Sequence, residues 1–147
     1  MLVAIIGVVG VLAGTVVGAV LTQRLQRRTA AEAHLHQERL TAYSAFATAM
    51  MEYRRGQTDR AFKRSRGDVA ELGDELFPAR SAAWSAYYRV RLLAGDETII
   101  KAAEVARDVA GEQPKTIDEA ERERLSRDCR VAVTKFLDVA RLDIKSP

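Results

Sequence analysis

The sequence predicts an all-α protein, an N-terminal transmembrane helix followed by a small antiparallel helical bundle. Three observations predict it. Residues 1–21, MLVAIIGVVGVLAGTVVGAVL, carry no charge and a single polar side chain, Thr15. Beyond them glycine is rare, proline occurs only at 78, 114 and 147, and Ala, Leu, Arg and Glu dominate, a composition that favours helix. Apolar residues then recur at three- and four-residue steps, and no convincing strand or hairpin pattern interrupts them.

About twenty helical residues, at about 1.5 Å each, cross a hydrocarbon core of about 30 Å. A helix apolar on every face has no side to present to water. Residues 1–22 are therefore read as a transmembrane anchor and 23–147 as the remainder. A buried central helix and a cleaved secretory signal compete with this reading, the latter because Val17, Gly18 and Ala19 place small residues near a cleavage point. A signal carries its basic residues ahead of the apolar run, whereas Arg24, Arg27 and Arg28 follow it here. Basic residues stay on the cytoplasmic side. The expected topology is thus a single pass through the cell membrane, N-terminus outside and bundle in the cytoplasm, unless an upstream basic stretch precedes the start. Gly10, Gly14 and Gly18 fall four residues apart with Gly7 near the same stripe. Side-chain-free patches in that register let another backbone approach in lipid, so the stripe is a candidate surface for a homo-oligomer or for packing against another membrane helix.

In the remainder, no Gly or Pro lies between Ala19 and Arg55, which predicts a helix over about 23–55 that is continuous with the anchor and stops at Gly56. Leu35, Leu40, Tyr43, Ala47, Met50 and Met51, with Phe46 and Tyr53 beside them, make its apolar face. A second helix is expected over about 69–94, with a bend near Pro78 because proline removes a donor and clashes with the preceding turn. Gly95 and Asp96 combine a stop with an N-cap and start a third helix over about 97–110, which Gly111 ends. Thr116 and Glu119 form a capping box opening the fourth, about 117–145. Its apolar positions include Leu125, Cys129, Val133, Phe136, Leu137 and Ile144. Four helices with short connections make an antiparallel bundle, with coiled-coil-like packing.

Motifs that carry chemistry are missing from the sequence. His34 and His36 are the only histidines, and two-residue spacing sends them to different sides of a helix. Phosphate-cradling glycine loops, a Glu-x-x-His pair and serine nucleophile motifs do not occur. Cys129 is the only cysteine, which excludes an intrachain disulfide and reads as a buried apolar position. No catalytic residue, metal ligand or cofactor is therefore expected.

Charge is uneven: ten Lys or Arg against four acids over 24–66, and 13 against 16 over 67–147. Arg54, Arg55, Arg60, Lys63, Arg64 and Arg66 crowd a segment expected to be a connector. It reads as a solvated loop, as a patch for anionic lipid headgroups, or as a contact for nucleic-acid phosphates. The leading expectation is a noncatalytic membrane-anchored module that engages an unknown protein partner. The alternative is a membrane-side nucleic-acid tether using residues 54–66, and a third class is an enzyme with a site built from scattered residues.

The apolar N-terminal span, the stretch QERLTAYSAFATAM and the ending FLDVARLDI together resemble uncharacterised single-span helical membrane proteins of GC-rich bacteria. That resemblance implies a small bacterial membrane protein and assigns no functional residue.

Overall fold

A computed structural model describes the backbone of residues 2–67, 76–114 and 118–145, and the side chains from Gln26 onward within them except those of Arg27 and Arg28. Four helices follow in order: α1 (Leu2–Ser65), α2 (Leu76–Leu93), α3 (Glu97–Gly111) and α4 (Glu119–Lys145). No strand occurs among the described residues. The chain divides into two compact units, 1–37 and 38–147.

The first unit is helical backbone throughout its described length, and its side chains from Thr29 to Gln37 are exposed, His34 and His36 among them. Among the described residues no helix is long and apolar enough to cross a membrane. The side chains of the expected anchor 1–22, of the stripe Gly7, Gly10, Gly14 and Gly18, and of Arg24, Arg27 and Arg28 lie outside the described residues.

The second unit contains the core. From α1 it takes Tyr43, Phe46, Met50 and Tyr53, which step along one face at three- and four-residue intervals. Against them pack Ala83, Tyr87 and Val90 of α2, Ile99, Ala103 and Ala106 of α3, and Cys129, Val133 and Phe136 of α4. Phe136 fixes the centre, with its ring centroid 4.6 Å from that of Phe46 and 5.8 Å, edge-on, from that of Tyr43. Alanines at 103, 106 and 110 give α3 a nearly flat inner face, so it can sit close to its neighbours. Leu35, Leu40, Met51 and Leu137, expected inside, are exposed instead. The core's α1 face begins at Ala42 and is narrower than the apolar pattern suggested.

The helices alternate in direction. The start of α1 within this unit lies beside the end of α2 and the end of α4, where the Arg39 Nε–H donates to the Leu93 carbonyl at 2.7 Å and its guanidinium sits 3.5 Å from Asp143. At the opposite end, Gln57 of α1 donates to the Gly111 carbonyl of α3 at 3.3 Å. This is the expected antiparallel bundle.

Several boundaries correct the sequence reading. The first helix does not stop at Gly56 but runs to Ser65, and what ends it is Gly67, in the left-handed region at φ 80°. There the N–H groups of Arg66 and Gly67 return to the carbonyls of Lys63 and Arg64, a closing turn that glycine adopts without steric cost. Gly56 has a packing role: a Cβ there would lie 2.8 Å from Leu76 Cδ1. Gly95 likewise makes room, since a Cβ would meet Asp143 Oδ1 at 2.7 Å and the Arg39 guanidinium at 2.9 Å.

Pro78 falls in the first turn of the described α2, where its missing N–H costs nothing. The bend expected between Asp74 and Pro78 lies partly outside the described residues. Asp96 caps α3 as expected, accepting from the Thr98 N–H at 2.6 Å. At α4 the capping side chain is Asp118, which accepts from the Glu121 N–H at 2.7 Å; Thr116 lies outside the described residues.

Candidate functional site

The basic segment is the first candidate, and the helix redistributes it. Because α1 continues through 54–65, at about 100° per residue Arg60, Lys63 and Arg64 share one side of the helix while Arg54 and Arg55 point to others, so the five do not form one patch. Arg54 is only 3% exposed. One of its terminal nitrogens donates to the Glu112 carbonyl at 2.5 Å, its Nε has no hydrogen-bond partner among the described residues, and burial pulls its pKa below the ordinary arginine value. Together with Gln57 it satisfies carbonyls at the C-terminal end of α3, where the helix dipole favours a cation. Arg54 is thus a structural cap, unavailable to an anionic partner. Arg55, Arg64 and Arg66 are exposed, while Arg60 and Lys63 are half-buried. The Arg66 guanidinium stacks 4.2 Å over Phe62. The expected loop is therefore corrected to a helix whose basic residues face several ways.

A second polar group, not foreseen in the sequence, closes the opposite end of the bundle. The Tyr43 hydroxyl donates to Asp143 at 2.8 Å, beside the Arg39 contacts. Burial, then the neighbouring Asp143 carboxylate, push the Tyr43 phenol well above its ordinary value. Residues 43 and 143 are a hundred positions apart, and no local spacing signals their meeting.

The third feature is aromatic. Trp84, Tyr87 and Tyr88 of α2 form a ring cluster with centroids 5.5–6.0 Å apart. Arg107 of α3 lies over it, 4.7 Å from the Trp84 centroid and 4.5 Å from that of Tyr87. The Tyr87 hydroxyl donates to Glu104 at 2.8 Å, and Arg107 is paired with Asp108 at 2.7 Å. The apolar pattern of the sequence does not single out this cluster; the three-residue spacing of Trp84 and Tyr87 is the signal that could find it, and nothing local signals Arg107 as its cover.

Cys129 is buried, and burial raises its thiol pKa, which keeps it in the unreactive neutral form. Among the described residues no group of three or more His, Cys, Asp or Glu side chains could hold a metal ion. The acidic and basic residues at the start of α4 pair along the surface: Arg122 with Glu119, and Arg124 with Glu121, Asp128 and Glu112. Exposed pairs of this kind contribute little to stability.

Fold and surface define a four-helix antiparallel bundle closed at both ends by buried or half-buried arginines. The same residues match a family model: the KilB plasmid transfer protein family covers residues 40–144, and the chain belongs to that family. The match begins two residues before the first core side chain, Ala42, and ends at Ile144, so it coincides with the bundle. No curated protein and no solved structure matches the chain.

Proposed function

We propose that the chain is a noncatalytic, membrane-tethered helical module that serves plasmid transfer by engaging a protein partner. The observation that carries this reading is the family match over residues 40–144, which places the family signature on the bundle itself. The uncharged run 1–21 followed by Arg24, Arg27 and Arg28 supports a span with the bundle on the cytoplasmic side. Glycines at 7, 10, 14 and 18 support close helix pairing within that span. A tethered bundle would hold its partner at the membrane, where DNA must leave a donor cell. The nucleic-acid alternative is weaker, because Arg54 is used inside the fold and only Arg60, Lys63 and Arg64, at i, i+3 and i+4, share a face, with Arg60 and Lys63 half-buried.

Deleting the gene in a donor that carries the cognate transferable plasmid tests the proposal. Plasmid transfer is expected to fall and to return when the wild-type gene is supplied in trans. Unchanged transfer in the deletion strain would refute it.

A further inference from the structure

One face of α2 points away from the core and is apolar. Phe77, Trp84, Tyr88 and Leu92 follow one another at intervals of seven, four and four residues, a stripe about 22 Å long. Phe77 is 70% exposed, Tyr88 51% and Leu92 85%, while Trp84 between them is half-buried and packs on the edge of the core, whose α2 side is Leu76, Ala83, Tyr87 and Val90. The helix carries Arg80, Arg89 and Arg91 and no acid at all. Arg89 is held by Glu38 at 2.7 Å. Arg80 and Arg91 are exposed and make no salt bridge among the described residues. The nearby carboxylates of α3 are already engaged, Glu104 by the Tyr87 hydroxyl and Asp108 by Arg107.

From this we infer that the outer face of α2 docks on an anionic lipid bilayer. Aromatic rings with a polar edge favour the headgroup boundary, and a leucine beside them reaches the acyl region. Arginines flanking such a stripe are attracted to anionic headgroups, by about fivefold in affinity for each one near the surface. The charge pattern argues against a second copy as occupant, because a symmetric pairing of two α2 faces would set arginine against arginine. The inference rests on the proposed membrane tether, which would raise the local concentration of lipid around the bundle.

Trp84 is the only tryptophan in the chain and lies in the stripe, so its fluorescence reports the contact directly. The full-length protein is mixed into vesicles of brominated phosphatidylcholine with phosphatidylglycerol, separated by flotation, and its emission compared with that in unbrominated vesicles. Emission is expected to be largely quenched by the brominated lipid, and several-fold less so when phosphatidylglycerol is omitted. Arg80→Glu with Arg91→Glu should remove that preference for anionic lipid. Tyr88→Asp with Leu92→Asp, at exposed positions, should abolish quenching while circular dichroism stays unchanged. Protein that floats with vesicles yet keeps an unquenched Trp84 overturns the inference and leaves the tether standing. Protein that does not float speaks against the tether, and absent quenching at excess lipid would then overturn the face as well. A Trp84 emission shift that grows with protein concentration and ignores lipid would overturn it in favour of self-association.

Discussion

Gly56 decides between two descriptions of the first helix, and a substitution there separates them. In an unobstructed helix interior, Gly56→Ala should raise stability by about 0.8–1 kcal/mol, because alanine loses less backbone freedom. Here the new Cβ would lie 2.8 Å from Leu76 Cδ1, inside contact distance, while Ala79 Cβ at 3.9 Å is no obstacle. Overpacking of this kind costs about 1–3 kcal/mol, so the single variant should come out destabilised by about 1 kcal/mol. Leu76→Ala alone should cost about 2–3 kcal/mol as a truncated buried side chain. With Leu76 shortened the obstruction is gone, and Gly56→Ala should then stabilise by about 1 kcal/mol. The coupling between the two positions is therefore about 2 kcal/mol, well above the few tenths expected of independent sites. Chemical denaturation of the detergent-solubilised chain, followed by circular dichroism for the wild type and three variants, measures it. A stabilising Gly56→Ala of equal size in both backgrounds would refute the packing role assigned to this glycine.

Arg54→Ala removes a buried cap, leaves the Glu112 carbonyl unpaired and opens space beside Cys129, so a loss of about 2–4 kcal/mol is expected in the same denaturation assay. Asp118→Ala should cost about 1 kcal/mol as a lost N-cap, while Asp118→Asn retains most of it. The Tyr43 and Tyr87 phenols are both raised in the folded state, by burial first and then by the carboxylates they donate to. Their contribution is therefore complete below the unfolded phenol value of about 10 and is lost as pH rises beyond it. The thermal midpoint should fall steeply above about pH 10, and the double variant Tyr43→Phe, Tyr87→Phe should flatten that dependence. Cys129 should resist a thiol reagent until the protein is unfolded, and labelling of the native protein at the unfolded rate would contradict its burial.

What was readable in the sequence was the periodic information. Tyr43, Met50, Cys129, Val133 and Phe136 can be assigned to the core because helical spacing repeats locally, and the antiparallel order follows from short connections. Glycines mislead because this residue type serves two physical purposes. Gly67 supplies a left-handed turn, while Gly56 and Gly95 supply clearance for side chains arriving from α2, α1 and α4. Composition alone does not tell these apart. Arg54 was grouped with its basic neighbours because charge is legible in a sequence and burial is not. The Arg39–Asp143 contact and the stacking of Arg107 on Trp84 depend on helix pairing, which no local pattern encodes. Leu35, Leu40 and Met51 were assigned inward because a stripe wider than the core reads the same as one that fits it.

The most direct test of a tethered bundle replaces the tether and keeps the bundle. In a donor lacking the gene, plasmid transfer would be scored with the wild-type chain, with residues 1–22 exchanged for an unrelated single span of the same orientation, and with residues 23–147 alone. Restoration by the exchanged span and failure of the untethered bundle, at equal protein levels, is the predicted result. Equal restoration by the untethered bundle would contradict the account.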